Sequence, residues 1–388
     1  MEDSGRLYIH IPYCEGKCLY CDFYSGGNPQ WKIYVQALLS ELSERIGEIG
    51  THLSSIYIGG GTPSLMPAND FEYLISEIKL ELRKAGVTMN RDLEFTLEVN
   101  PEDIDEKHIL SWLESGVNRI SVGVQSFIDE ELCIIKRRHT ARKAQESVEL
   151  LKKYFTNISL DIIYGLPLQT SDSLKQTLKD ILHLKPSHIS AYSLTYEPGT
   201  PLYLLKERGK ISEAPEESYI EFGEIVDRTL EEAGFIHYEI SNYSLPGMHS
   251  RHNSGYWEGK PYLGLGPSAH SYDGKRKRKF NPQDVYGYIK RYGNCKSEGD
   301  IKNPPPFFEE EILSDEELRE EFIMVSLRTQ KGLSLDYYET KFGERELKKL
   351  IKKSKKWEKV GDLELRESNL CLTKKGMNIA DLIILELI

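Results

Sequence analysis

Several features are scarce in this chain of 388 residues. It has only 6 cysteines, too few for a disulfide scaffold at this length. No stretch of the sequence reaches the about 18 uncharged apolar residues that a membrane helix needs. Basic residues are outnumbered, since 50 lysines and arginines face 61 acidic residues and give a net charge of −11. These deficits exclude an integral membrane protein and a disulfide-stapled domain, and they argue against nucleic acid as a partner.

The N-terminal residues predict a location. Residues 1–6 are polar and acidic and lead straight into an apolar strand, without the basic and apolar sections of a signal peptide. We therefore expect a cytoplasmic protein without a transmembrane segment. Contact with a membrane surface from one side stays open.

Short β-branched runs alternate with helical stretches along the first half of the chain. Strands are predicted at Leu7–Ile11, Ser55–Ile58, Leu93–Glu98, Arg119–Val122, Ile158–Ile163 and His188–Ser193. Their spacing leaves room for one crossover helix each, and helices are predicted at Ile33–Ile46, Ser173–Leu184 and Ser218–Glu232. This alternation favours an α/β fold, a partial (β/α)6 barrel of the TIM type.

The composition changes towards the C-terminus. Three consecutive prolines, Pro304–Pro306, form a stiff break, after which the chain is highly charged and helical with a hairpin near Leu363–Leu372. We predict a barrel core over residues 1–200, an extension of the barrel over 201–303, and a small helical, winged-helix-like domain over 304–388.

Three of the cysteines crowd into one short loop after the first strand, as Cys14-x3-Cys18-x2-Cys21. Thiolates at this spacing suit a soft metal centre, and a cubane iron–sulfur cluster on three cysteines would leave its fourth iron open. A zinc site completed by His10 and a chance cluster of free thiols are the alternatives. The remaining cysteines, Cys133, Cys295 and Cys371, are predicted to be inert.

The stretch from Tyr8 to Phe23 resembles the signature of the radical S-adenosylmethionine (SAM) superfamily. More narrowly, it is similar to the branch that contains the coproporphyrinogen dehydrogenases and the HemW group of heme chaperones. The resemblance implies a [4Fe-4S] cluster on the three cysteines and SAM chelated at the open iron. Reduction would then cleave SAM to a 5′-deoxyadenosyl radical.

The same resemblance implies a set of SAM contacts, carried over position by position. They are Tyr8, Tyr20, Gly60, Gly61, Thr62, Glu98, Gln125, Arg137 and Asp161. Some have a plainer alternative: packing for the tyrosines, a tight turn for the glycines and a rim ion pair for Glu98. Arg138 adjoins Arg137 and competes with it, and Thr195 is a weaker candidate.

Two functions compete within this branch. The dehydrogenases carry a fourth cysteine where this chain has Phe23, and a longer arm before the cysteine loop than the 13 residues found here. A later segment fits the HNxxYW motif of the heme chaperones, with His252, Asn253, Tyr256 and Trp257 as predicted heme contacts. An imidazole can ligate heme iron while aromatic rings pack on the macrocycle, and His249 is a competing ligand.

The resemblance thus implies a heme chaperone that binds heme, a [4Fe-4S] cluster and SAM and passes heme to an acceptor protein. A reductant for the cluster would be a further partner. Oxygen-independent coproporphyrinogen III dehydrogenation is the alternative, and its turnover is not expected, although SAM cleavage remains open. A radical SAM enzyme acting on tRNA or another tetrapyrrole is a third hypothesis, which the acidic balance disfavours.

Overall fold

A computed structural model of the chain describes residues 5–293 and 305–388. The predicted domain boundary at 303/304 and Cys295 lie outside the described residues. The strands of the described residues form three sheets, one of nine strands and two of three. The strands are β1 (Gly5–Ile11), β2 (His52–Gly60), β3 (Thr88–Val99), β4 (Arg119–Gln125), β5 (Ile158–Tyr164), β6 (His188–Ser193), β7 (Ile236–Glu239), β8 (Asn242–Ser244), β9 (Leu263–Leu265), β10 (His270–Tyr272), β11 (Lys277–Phe280), β12 (Glu309–Ile312), β13 (Leu333–Ser334), β14 (Leu363–Arg366) and β15 (Asn369–Leu372). The two three-stranded sheets have the orders β10-β11-β12 and β13-β15-β14.

Helices connect most of these strands. The helices are α1 (Trp31–Arg45), α2 (Ala68–Lys84), α3 (Glu106–Glu114), α4 (Asp129–Ile134), α5 (Ala141–Leu151), α6 (Ser171–Leu184), α7 (Pro201–Glu207), α8 (Glu216–Glu232), α9 (Arg251–Trp257), α10 (Val285–Tyr292), α11 (Asp315–Leu327), α12 (Leu335–Phe342), α13 (Glu344–Val360), α14 (Lys374–Met377) and α15 (Ala380–Leu387). In the parts of the chain that the structure describes, none of them is long and apolar enough to cross a membrane.

The main sheet has nine strands in the order β7-β8-β6-β5-β4-β3-β2-β1-β9. Strands β1 to β6 pair with one another in parallel, each through a crossover, and β9 adds in parallel to β1. At the other edge β8 pairs antiparallel with β6 and with β7. The predicted α/β barrel is therefore confirmed, and the segment after residue 200 adds strands to both of its edges.

Alternation along β1 to β6 separates an apolar face from a polar one. Every second residue, such as Leu7, Ile56 and Leu160, is buried in the core beneath the helices. The positions between them are polar and point into the lumen of the barrel, where several hydrogen-bond to one another, such as Tyr57 to Glu98 and Ser121 to Asp161. They are Arg6, Tyr8, His10, Ser55, Tyr57, Glu94, Thr96, Glu98, Arg119, Ser121, Ser159, Asp161, His188 and Ser190. Parallel strands usually bury apolar residues on both faces, so this lumen is built for polar contents.

The helix ends follow local capping chemistry. Helix α6 begins two residues before the predicted start because Thr170 caps it, with its hydroxyl accepting from the Ser173 backbone and the Ser173 hydroxyl reaching back. Helix α1 begins at Trp31 rather than Ile33, and α8 at Glu216 rather than Ser218. Such differences of one turn or less are ordinary at helix ends.

The C-terminal residues form a second apolar core. Helices α11, α13 and α15 pack with a three-stranded sheet in the order β13-β15-β14. The predicted hairpin is present as β14 and β15, with Leu363 opposite Leu372. This arrangement agrees with a helical C-terminal domain that carries a small sheet, while the three-part division of the chain stays a prediction.

Candidate functional site

A cavity of about 1690 Å³ opens at the carboxyl ends of the parallel strands and continues to the C-terminal helices. In a βα barrel this end of the strands carries the chemistry. The three loop cysteines and the whole predicted SAM set line it. These residues are Cys14, Cys18, Cys21, Tyr8, Tyr20, Gly60, Gly61, Thr62, Glu98, Gln125, Arg137 and Asp161. The structure thus brings together residues from five strands and the loops that follow them.

The cysteine loop is tied to its surroundings by backbone hydrogen bonds. Leu19 donates to the Ile135 carbonyl at 3.2 Å, and Cys21 donates to the carbonyl of Cys18 at 3.3 Å. Two side chains also donate to cysteine sulfurs. Thr62 Oγ1 lies 3.3 Å from Cys14 Sγ, and Arg137 Nη1 lies 3.5 Å from Cys18 Sγ. Donors beside sulfur stabilise the thiolate form that a metal requires.

The donor set suits a cluster better than a single zinc ion. Among residues 5–293 and 305–388, no group of three or more His, Cys, Asp or Glu side chains is placed to hold one metal ion. His10 is occupied, with Nδ1 3.0 Å from the Tyr8 hydroxyl and Nε2 3.0 Å from the Tyr24 carbonyl. A cubane spreads its thiolate ligands over separate irons, so three half-buried cysteines on one anchored loop fit it.

The glycine run after β2 packs directly against the cysteine loop. Gly60 has φ of +110°, and a Cβ there would lie 2.6 Å from the His10 ring. A Cβ on Gly61 would lie 2.7 Å from the Tyr13 carbonyl oxygen and 3.1 Å from Cys14 Sγ. Since only glycine permits this approach, both the tight-turn and the ligand interpretations agree with the structure.

Glu98, at the end of β3, lies inside the barrel rather than at its rim. Its carboxylate accepts from the Tyr57 hydroxyl at 2.7 Å and from the Gly60 backbone at 3.1 Å. Burial raises the pKa of Glu98 to about 7, and the Asp161 carboxylate adds to the shift. The rim ion pair is not observed, and Glu98 can take either protonation state near neutral pH.

Asp161 and Gln125 complete the lumen wall. Asp161 accepts from the Ser121 hydroxyl at 3.0 Å and from the Ser159 hydroxyl at 3.2 Å, and burial raises its pKa. Gln125 ends β4 with φ of +68°, an uncommon conformation for a residue that is not glycine. Strained residues of this kind occur often at ligand sites, and here the strain turns the side chain to the cavity.

The structure separates the two adjacent arginines. Arg137 lies beside Cys18 and donates to Asn100 Oδ1 at 2.7 Å and to the Gly123 carbonyl at 2.5 Å. Its buried Nε has no hydrogen-bond partner among the residues that the structure describes. Arg138 instead forms ion pairs with acidic side chains of the rim, namely Glu15, Glu102 and Asp103. Arg137 is therefore the arginine that faces the centre of the site.

The predicted aromatic contacts differ in surroundings. Tyr8 hydrogen-bonds to His10, two residues along the same strand, whereas Tyr20 lies next to Cys18 and Arg137, and burial raises the pKa of both hydroxyls. Thr195 also lines the cavity. Phe23, at the position where the dehydrogenases carry cysteine, is 68% exposed at the cavity mouth.

The HNxxYW segment forms helix α9, which closes the lower part of the barrel lumen. Ser250 caps the helix, and the Glu94 carboxylate accepts from the backbone of Arg251 and of His252, both at 2.8 Å. His252 is fully buried, with Nδ1 2.8 Å from the Ser55 hydroxyl and Nε2 2.8 Å from the Tyr256 hydroxyl. Burial lowers the pKa of His252 to about 3, so the ring is neutral and both its nitrogens are engaged.

Only part of the motif faces the cavity. Tyr256 and Trp257 line it, whereas His252 and Asn253 do not. The competing residue His249 does line it, and its ring stacks on Tyr238 with centroids 4.1 Å apart. In the motif, His252 therefore stabilises the fold, while Tyr256 and Trp257 face the cavity.

Sequence reasoning missed the far wall of the cavity. The missed residues lie on α11 and α12, beside the β10–β11 hairpin, and include Phe322, Tyr337 and Lys341. No local pattern marks such residues, because their shared position arises from long-range packing. The polar lumen, by contrast, could have been found from the alternation of the strands.

A parallel barrel with a three-cysteine loop at the carboxyl ends of its strands defines a radical SAM protein. Residues 8–181 match the model of the radical SAM superfamily, and residues 313–379 match that of the HemN C-terminal domain. The chain belongs to the HemW family within that superfamily. It is 36% identical to the heme chaperone HemW of Lactococcus lactis over 88% of this chain and 86% of the relative. It is 37% identical to the HemW of Bacillus subtilis over 87% of this chain and 86% of the relative.

A solved structure supports the fold. Coproporphyrinogen III oxidase (HemN) from Escherichia coli, a radical SAM enzyme, matches with a TM-score of 0.80 at 22% identity. The match covers 100% of this chain and 90% of that one. The family resemblance seen in the sequence is thereby confirmed, and with it the [4Fe-4S] cluster and SAM as the cofactors of the superfamily. The roles of individual residues stay predictions.

Proposed function

We propose that this protein is a heme chaperone of the radical SAM type, which binds heme in the large cavity and passes it to an acceptor protein. The observation that carries the proposal is the extent of the cavity, which runs from the cysteine loop to an aromatic wall on the C-terminal helices. That leaves space beyond the polar barrel end for a flat macrocycle. The relatives named heme chaperones support it.

In this proposal the cluster occupies the cysteine loop. Cys14, Cys18 and Cys21 would hold it, with Thr62 and Arg137 donating to two of the sulfurs. The cluster and SAM together supply one-electron chemistry when bound. A reductant for the cluster is then a required partner, nucleic acid is not, and the cytoplasm is the proposed location.

The polar end of the lumen would bind SAM. The Glu98 and Asp161 carboxylates can accept from an ammonium group or ribose hydroxyls, and the unpartnered Nε of Arg137 can donate to a carboxylate. The remaining predicted contacts would shape the pocket around these charged groups. They are Tyr8, Tyr20, Gly60, Gly61, Thr62 and Gln125.

Heme would occupy the part of the cavity beyond this end. Tyr256 and Trp257 offer aromatic faces to it, and Asn253 would act through the helix that carries them. His252 would need to give up hydrogen bonds to Ser55 and Tyr256 before it could reach an iron. The division into a core over 1–200, an extension over 201–303 and a C-terminal domain is part of this proposal.

The test is an anaerobic hemin titration of the cluster-loaded protein, followed by transfer to heme-free apomyoglobin. We expect a saturable Soret band at one heme per chain and loss of that band as the acceptor fills. Trp257→Leu should weaken binding, while Trp357→Leu, in the C-terminal core and outside the cavity wall, should not. Absence of specific hemin binding, together with coproporphyrinogen III turnover, would overturn the proposal.

A further inference from the structure

Two imidazoles, those of His249 and His270, face the cavity and form no hydrogen bond within residues 5–293 and 305–388. His249 lies in the loop between β8 and α9, directly before the Ser250 cap. Its ring stacks on the Tyr238 ring. His252, three residues later, has both ring nitrogens engaged.

The His249 ring is held in place by that contact. The two rings stack at 4.1 Å with their planes 10° apart. Tyr238 is itself fixed, since its hydroxyl lies 2.8 Å from His188 Nε2 and accepts from the Ser250 backbone at 3.2 Å. Because one face of the His249 ring packs on the fixed Tyr238 ring, the orientation of the imidazole and of its two nitrogens is restricted. A metal ligand binds best when it is oriented before the metal arrives.

The chemistry of the ring suits iron. Burial lowers the pKa of His249, so the imidazole is neutral at neutral pH and keeps a lone pair for a metal. The aromatic side chains of Tyr256 and Trp257, at the end of the helix that follows, line the same cavity and offer surfaces to a macrocycle.

His270 is the rival, because it also lines the cavity and has no hydrogen bond to its ring among the described residues. It contacts Phe280 more loosely, with centroids 5.8 Å apart and planes at 27°. Phe280 is only half-buried and is not anchored through a polar group. The orientation of the His270 ring is therefore less restricted.

We propose that His249, rather than the motif residue His252, is the axial ligand of the heme iron. This inference rests on the proposed function and sharpens it, because it assigns the iron to the side of the cavity formed by Tyr238 and α9. His252 then has a positioning role, since it holds α9 and its aromatic residues at the cavity wall.

The experiment replaces the ligand and restores it from solution. The full-length, cluster-loaded protein is titrated with hemin as wild type, His249→Gly and the matched control His270→Gly. We expect His249→Gly to lose the histidine-ligated ferric spectrum and to bind hemin at least about tenfold more weakly. Added imidazole should restore the spectrum, and His249→Cys should give the Soret shift of thiolate ligation.

The outcomes separate the two proposals. If wild type binds no hemin saturably, the proposed function fails and the ligand assignment with it. If wild type binds hemin and His249→Gly keeps an unchanged spectrum, only the assignment is overturned. It is overturned equally if His270→Gly, or the folded variant His252→Gln, loses the spectrum in its place.

Discussion

Two segments of this chain carry recognisable motifs, and the fold treats them differently. The cysteine loop follows β1 and leaves all three sulfurs half-buried at the cavity wall. The HNxxYW segment folds into α9, which turns its histidine inward and only its last two aromatic residues outward. In a loop at a strand end, all side chains of a motif can face a ligand. On a short helix, some side chains of the motif face the ligand and the others are buried in the core.

Substitutions in the two segments should therefore have different effects on ligand binding and on stability. Residues of the cysteine loop should matter for what the protein binds, with little effect on folding. Buried residues of α9 should contribute mainly to the free energy of unfolding. They should affect binding only indirectly, by holding the helix in place. The following predictions test that contrast, from the largest expected effect to the smallest.

Cys18→Ala should abolish the cluster, because a cubane attached by three thiolates loses one of its required ligands. The reconstituted protein should lack the electron paramagnetic resonance signal of a reduced [4Fe-4S] cluster, while its circular dichroism stays that of the wild type. Cys133→Ala, at an exposed thiol outside the cavity, is the control and should keep the signal. An unchanged signal in Cys18→Ala would refute the cluster assignment.

His252→Ala should lower the free energy of unfolding by about 3 kcal/mol, because it leaves a cavity and removes partners from the buried Ser55 and Tyr256 hydroxyls. Urea unfolding followed by tryptophan fluorescence measures the loss. His183→Ala, at an exposed position on α6, should change it by less than about 0.5 kcal/mol. Equal effects of the two substitutions would remove the distinction between the segments.

The histidine shows where sequence reasoning stops. Strands β1 to β6 and the cysteine loop could be predicted because their signals are local: alternation, spacing and turn residues. The partners of His252, Ser55 on β2 and the Glu94 carboxylate that caps α9, lie more than 150 positions away in sequence. Whether a motif histidine points to a ligand or to the core depends on those distant partners.

The same limit applies to the cavity as a whole. The predicted SAM set came from the resemblance to the radical SAM superfamily, carried over position by position. Its members share one cavity because parallel strands bring their carboxyl ends together. The far wall, with Phe322, Tyr337 and Lys341, depends on how the C-terminal helices dock. No short-range sequence pattern encodes that docking, so the residues of this wall could be identified only from the structure.

Gly60→Ala tests how closely the glycine run and the cysteine loop must pack. Both a left-handed φ and a contact of 2.6 Å with the His10 ring oppose a Cβ, and we expect a loss of about 2 kcal/mol in unfolding free energy. Gly199→Ala is the matched control, with φ of +94° but open space around its Cβ, and should lose about 1 kcal/mol. Equal losses would mean that backbone strain alone is responsible.

Glu239 offers the most specific test, on the side of α9. This carboxylate is 1% exposed and accepts from the Ser241 backbone at 3.2 Å, from Asn242 and from the Trp257 side chain. Burial raises the pKa of Glu239 to about 7 from an ordinary value of 4.5.

The direction of the pH effect follows from proton uptake. Between pH 4.5 and 7 the folded state binds more protons at Glu239 than the unfolded state, so stability falls as pH rises through that window. Urea unfolding at pH 5 and pH 7.5 should show wild type losing about 2 kcal/mol more than Glu239→Gln, which cannot ionise. Because Gln keeps the shape of the side chain, the difference isolates the charge. A wild type that gains stability relative to the variant as pH rises would show that this carboxylate is ionised in the fold. The wall beside Trp257 would then carry a fully ionised carboxylate near neutral pH, rather than one that is about half protonated.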